Sequence, residues 1–302
     1  KSYFEKKIKH EILDNYNEEW NTSAITPGTI FMKQLGKDIT NYYKGKERSY
    51  KVHNIIVSTS AEEGEGEHKL FDYIRKNPQH KDQTTVIYGL DADLIMLCLN
   101  HLPIARHIYL YRETPEFVKS INRDLEPNET YLMDIPLLSE AIIYEMNNNK
   151  KVNIMQKKNR LYDYIFLCFF LGNDFMPHFP SINIRTTGIQ IMIDAYQNTI
   201  GKTNMNITNG KIIFWKNLRK LIQYLSNNEL CYLKSEYKIR NRWEKRIFKT
   251  ENDEDKMKRY LHTPIKNREI EKMVDPFKSY WEERYYKNLF HLDINDDLKK
   301  KI

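Results

Sequence analysis

The chain is poor in cysteine and has no long apolar run. Its three cysteines, Cys98, Cys168 and Cys231, lie far apart among 302 residues, and no C-x-x-C pair occurs. That leaves no signal for a zinc site or a disulfide framework, and a reducing compartment is expected. No apolar stretch approaches the ~20 residues needed to span a bilayer, and none reads as a signal peptide. No membrane partner is therefore expected. G-x-S-x-G and H-E-x-x-H are both missing, which leaves the nucleophile-elbow hydrolases and the zincins without their residues. Gly201-Lys202-Thr203 has the form of the tail of a phosphate-binding loop, but Tyr196 stands where the first glycine belongs.

Charge is plentiful. Hydrophobic residues make up 40% and charged residues 29%, with a formal net charge of +7. That balance describes a globular chain with a mild bias toward polyanionic partners. The first residue is Lys rather than Met, so the chain is read as a fragment or a processed product.

Local patterns alternate between strands and helices. Lys1 to Asp14 reads as a surface helix, Pro27-Gly28 as a turn, and Ile30 to Tyr43 as a helix. Asn54 to Ser58, Thr84 to Tyr88 and His107 to Tyr111 read as strands. Helices are expected over Ala61 to Arg75, from Leu94, over Thr130 to Glu145, Leu161 to Leu171, Thr186 to Tyr196 and Ile212 to Leu225. The alternation predicts an α/β core, residues 1–203, with a mostly parallel sheet covered by helices on both faces. An all-helical region, 204–302, follows the composition change after Gly201.

Acidic residues cluster beside apolar runs. EEGEGEHK carries Glu65 and Glu67, YGLDADLIML carries Asp91 and Asp93, and FLGNDFMPH carries Asp174. On a strand, residues i and i+2 share a face, so Asp91 and Asp93 are expected to reach one ion or adjacent ions. Taken singly, Glu62 to Glu67 reads as a solvated helix start and Asp91 as a cap. Taken together, the five carboxylates favour a hard divalent cation, Mg2+ or Mn2+. Two such ions about 4 Å apart suit in-line attack on a phosphodiester. His68 and Lys69 are either phosphate contacts or an exposed helical pair. His178, between prolines, reads as structural. Trp281, Tyr285 and Tyr286 read as core aromatics rather than base-stacking platforms. Lys238 to Lys249 is either a nucleic-acid track or a solvated face.

ITPGTIFM, GEGEHKLFDYIR, YGLDADLIML, the YRE of Tyr111 to Glu113, and FLGNDFMPHFPS occur in an order that closely resembles the Xrn-type 5′→3′ exoribonucleases. The likeness is strong over about the first 200 residues and looser beyond. It implies a flap-endonuclease/PIN-like core that uses Mg2+ to degrade single-stranded RNA bearing a 5′ monophosphate, releasing mononucleotides. By the same resemblance, Glu65, Glu67, Asp91, Asp93 and Asp174 are the metal-binding and catalytic carboxylates. His68, Lys69 and Arg112 are the expected substrate contacts. The family opens with further aspartates and a basic helix gripping the 5′ phosphate, which are expected ahead of Lys1. A monomer is expected, intracellular, in cytoplasm, nucleus or virus-infected host cytoplasm. A flap-type DNA nuclease and a catalytically incomplete RNA-binding protein stand as the alternatives.

Overall fold

A computed structural model of the chain describes residues 22–113, 122–126, 129–173, 175–245, 252–253 and 268–294. The expected helix over Lys1 to Asp14 and the carboxylate of Asp174 lie outside the described residues. Contacts divide the chain between Tyr144 and Glu145 into two compact units.

In the first unit, helix α1 (Ile30–Tyr43) starts where expected, at Thr29, whose side chain accepts from the Met32 amide at 3.3 Å. Helix α2 (Gly66–Lys76) starts later than the acidic run suggests. Gly64 adopts φ +93°, left-handed backbone that a helix interior does not admit. Strand β1 (Thr84–Tyr88) is followed by helix α3 (Asp93–His101) and strand β2 (His107–Glu113). Strand β3 (Thr130–Asp134) then leads into helix α4 (Ile135–Met146).

The sheet has order β1-β2-β3. β1 and β2 are parallel, with Thr84 opposite His107, whereas β2 and β3 are antiparallel, with Tyr109 opposite Asp134. This mixed three-stranded sheet corrects the expected mostly parallel one. Asn54 to Ser58 pairs with no strand among the described residues and forms no strand itself. Thr130 to Asp134 is strand rather than the opening of a helix, because its aromatic and β-branched residues find a ladder on β2. Pro136 suits only a first helical turn, and the Asp134 carboxylate accepts from the Leu137 amide at 2.9 Å, fixing the helix start.

Cover on both faces is not what the described residues provide. Thr85, Ile87, Ile108 and Leu110 are buried on one face, and α3, with its buried Leu94, Cys98 and Leu99, packs against β2. Each fully buried aliphatic there contributes about 2 kcal/mol. On the other face Val86, Tyr88 and Leu132 remain 52%, 60% and 58% exposed.

The second unit is helical: α5 (Ile154–Cys168), α6 (Gly188–Tyr196), α7 (Trp215–Glu244), α8 (Glu269–Val274) and α9 (Trp281–Phe290). The composition break after Gly201 falls inside this unit, because residues 200–208 are tied to α5. Arg160 is fully buried, and all five of its N–H donors find acceptors. Nε donates to Asn147 Oδ1 at 3.2 Å, and Nη1 to Tyr196 Oη at 2.6 Å and Met205 O at 2.5 Å. Nη2 donates to Thr203 O at 2.6 Å and Ile200 O at 3.5 Å. One turn on, Asp163 accepts from the amides of Ile207 at 2.9 Å and Thr208 at 2.8 Å, and from the Tyr196 hydroxyl.

Burial pushes the Asp163 carboxyl up to about 6, against Tyr196, the two amides and Arg160, which favour its charged form. A folded value above the unfolded ~3.9 means that the stability tied to this group is full below about pH 4. It is lost as pH rises through about 6. The stability difference between wild type and Asp163→Asn, measured in urea, should therefore shift by about 2–3 kcal/mol between pH 4 and pH 7. A difference that stays flat over that range would contradict the assignment.

Within the basic stretch from Lys238, Arg240 is engaged in ion pairs. Arg240 pairs with Glu236 at 3.0 Å and with Glu271, while Arg268 and Lys272 hold Glu244 at 2.8 and 2.7 Å. This network joins α7 to α8; residues 246–249 lie outside the described part. Trp281, Tyr285 and Tyr286 are half-buried rather than core, and no residue of α9 is fully buried. Tyr286 packs edge-on against Tyr285, at 5.5 Å between ring centroids. Among the described residues no helix is long and apolar enough to cross a membrane.

Candidate active site

Two helix N-termini carry the acidic motifs. Glu65 is the N-cap of α2 and Glu67 lies in its first turn. Asp93 opens α3, and Asp91 precedes it in the loop after β1. Asp91 and Asp93 are thus not alternate residues of one strand, as expected; the strand ends at Tyr88. Their nearness comes from a tight turn, in which the Asp93 amide donates to Asp91 Oδ1 at 3.4 Å. The positive end of a helix dipole favours carboxylates at these positions.

The far ends of α2 and α3 are clamped together. The Phe71 and His101 rings lie 4.5 Å apart, and the Arg75 guanidinium meets His101 Nε2 at 2.9 Å. His101 Nδ1 meets Leu97 O at 2.7 Å, so its Nδ1–H donates and its Nε2 accepts. Burial, with Arg75 beside it, holds this histidine below its usual value and neutral.

Glu67 senses the other acidic motif electrostatically. Partial burial raises its carboxyl above the ordinary range, and the charges of Asp91, Asp93 and Glu65 raise it further, while His68 opposes them. Four of the five expected carboxylates therefore share one field. Among the described residues, no three His, Cys, Asp or Glu side chains are gathered closely enough to hold a metal ion. The four form an electrostatic cluster open to solvent rather than a closed coordination shell.

Two of the expected substrate contacts, Lys69 and Arg112, bond to the chain's own backbone. Lys69 Nζ donates to Thr59 O at 2.8 Å and Arg112 Nη2 to Leu90 O at 2.8 Å. Each bond pins the segment beside an acidic residue. His68 is exposed next to Glu67. His178 Nδ1 meets Phe179 O at 2.6 Å, the backbone contact of a structural histidine. Sequence reasoning missed Arg160 and Asp163, although the placing of two charges three apart at the head of the run RLYDYIFLCFFL was a readable signal of a buried pair.

The description "XRN 5′-3′ exonuclease N-terminus" matches residues 1–114, and "Xrn1 helical domain" matches residues 155–277. The chain belongs to the Xrn 5′→3′ exonuclease family. Between them the two matches take in both acidic motifs of the first unit and most of the helical unit. This Xrn family chain is 29% identical over 266 residues to 5′-3′ exoribonuclease 2 of Eremothecium gossypii, covering 77% of the chain and 28% of that relative. It is 30% identical over 245 residues to 5′-3′ exoribonuclease 2 of Kluyveromyces lactis, covering 72% and 24%. To 5′-3′ exoribonuclease 1 of Schizosaccharomyces pombe it is 32% identical over 232 residues, covering 72% and 17%. The matches thus take in about a quarter or less of the length of these curated relatives.

Proposed function

We propose that the chain carries the acidic centre of a 5′→3′ exoribonuclease that hydrolyses single-stranded RNA bearing a 5′ monophosphate. The observation that supports this reading is the raised Glu67 carboxyl, with Asp91, Asp93 and Glu65 as its charged neighbours. Like charges sharing one field at two helix starts repel one another, and a divalent cation relieves that repulsion. The donor set is all carboxylate oxygen, which suits Mg2+ or Mn2+. Glu65, Glu67, Asp91 and Asp93 would hold one ion or a pair. Bound there, the metal would supply Lewis-acid polarisation of a phosphodiester oxygen and an acidified water. The chain's own residues hold the frame: Arg112 anchors the loop before Asp91, Lys69 anchors Thr59, and the Arg75–His101 clamp sets how α2 meets α3.

Mn2+ titration of the chain by calorimetry tests the centre without requiring activity. Glu67→Gln should weaken Mn2+ binding about tenfold or more, in line with the loss of a supporting group around a metal. Wild-type affinity should fall as pH drops through the Glu67 value, above the range where an ordinary glutamate titrates, because the proton and the metal compete for it. No Mn2+ uptake by the wild type would turn the reading toward a non-catalytic RNA-binding protein. Faster cutting of flap DNA than of single-stranded RNA would turn it toward a DNA nuclease.

A further inference from the structure

The helical unit holds a cavity of about 440 Å³ that the acidic centre does not use. Its walls are the turn from Asn147 to Val152, the turn from Gly201 to Asn204, and Gln156. Three lysines line it, Lys150, Lys151 and Lys202, and no acidic residue does. All three are exposed, and Lys202 Nζ donates to the neutral Asn198 Oδ1 at 3.0 Å. A smaller cavity of about 200 Å³ shares Gln156 and Asn204, and is lined otherwise by the amides of Asn153, Asn159 and Asn206 and by Met155.

The cavity walls are held in place from beneath. Arg160 bonds Asn147 on one wall and Ile200, Thr203 and Met205 on the other. Asn148 and Asn149 adopt φ +53° and +58°, turning the chain sharply, and Asn148 Nδ2 donates to Gln197 O at 3.2 Å. The two walls touch at Gly201, where a Cβ would lie 2.3 Å from Met146 O. A rigid buried frame thus presents three cations and several amides around one concave space. Like cations gathered in a concavity attract an anion, and the low-dielectric wall strengthens that attraction. Gly201-Lys202-Thr203 does not act as a phosphate-binding loop, since it follows the last helical turn (Gln197–Gly201) rather than opening a helix. The Thr203 hydroxyl donates instead to Ile200 O at 2.8 Å. Lysine side chains, as point charges, are therefore what this cavity offers an anion.

We infer that this double cavity is a nucleotide-phosphate site, separate from the acidic centre: phosphate lies among Lys150, Lys151 and Lys202, and the base edge lies against the neighbouring amides. Gln156 Nε2 donates to Thr203 O and Asn204 Oδ1, Asn153 Oδ1 accepts from the Gln156 backbone amide, and Asn206 Nδ2 donates to Thr208 O. The groups that these bonds do not take, the Gln156 and Asn206 side-chain oxygens and the Asn153, Asn159 and Asn204 amide nitrogens, offer the acceptors and donors that a base edge pairs with. The phosphate can come from a free mononucleotide or from an RNA strand.

The test is calorimetric titration of the whole chain in EDTA, which removes divalent ions from the acidic centre. The probes are AMP, adenosine, and a hexameric oligo(A) with a 5′ hydroxyl. AMP should bind and adenosine should bind at least about tenfold more weakly. A triple variant, Lys150→Gln, Lys151→Gln and Lys202→Gln, should weaken AMP binding by tenfold or more. Lys238→Gln, an exposed lysine on α7, should leave it unchanged. Oligo(A) that displaces AMP assigns the site to a strand, and failure to displace it assigns the site to a free nucleotide. Because the three lysines are exposed, the variant should retain its far-ultraviolet circular dichroism; Asn204→Ala, also expected to weaken AMP, gives a second readout if it does not. Equal binding of AMP and adenosine, no AMP binding at millimolar concentration, or undiminished binding by the triple variant overturns the proposal.

Discussion

With Asp91 replaced by alanine, mononucleotide release from 5′-phosphorylated RNA by the full-length protein is expected to fall about a hundred- to a thousandfold, as when one preorganised charge-stabilising group is removed. Asp91 sits in the loop after β1 and contributes charge to the cluster around Glu67. Its structural task is small: one long bond, 3.4 Å, to the Asp93 amide at an exposed turn. Losing that bond costs no more than about 1 kcal/mol of stability. The two roles therefore separate. Asp91→Asn keeps the acceptor for the Asp93 amide and loses the charge, so it should fold like the wild type and be about as inactive as the alanine variant. Removing the negative charge should also bring the Glu67 carboxyl back toward its ordinary range, which NMR titration of the side-chain carboxyl can follow. Activity within a factor of two of wild type in either variant would remove Asp91 from the centre.

Replacing Arg160 with leucine should destabilise the helical unit by about 3–5 kcal/mol, the cost of leaving a buried charge without its partner. Arg160 is fully buried and its side chain reaches Asn147, Tyr196, Ile200, Thr203 and Met205. Leucine fills part of the volume but leaves those acceptors without donors and Asp163 without a neighbouring cation. Each unsatisfied buried acceptor adds to the loss. For a unit of this size the melting temperature should drop by on the order of 10 °C. The double change Arg160→Leu with Asp163→Leu should recover part of the loss, because no lone charge then remains. A double variant less stable than the single one by the full cost of the second site would mean that the two residues act independently.

Strand and helix content was largely legible. TTVIY and HIYLY form β1 and β2, and the periodicity of IFMKQLGKDITNYY gives α1. The misreadings share a cause. Thr130 to Asp134 has residues that fit either element, and β2 decided the matter by offering an antiparallel edge. Asn54 to Ser58 has strand composition without a paired neighbour among the described residues. Strand identity depends on a partner, and partners are distant in sequence.

The acidic motifs, their order and their family likeness were properties of the sequence alone. So were the basic balance and the helical character of the second half, because composition and local period carry them. Only the tertiary structure decided that α2 and α3 are clamped at Phe71, Arg75 and His101, and that Glu67 feels Asp93 at the start of another helix and Asp91 in the loop before it. It alone decided that Arg160 and Asp163 tie the 200–208 segment to α5, which erases the division that composition placed after Gly201. Charges act through space and over a few ångströms, whereas the sequence records only separation along the chain.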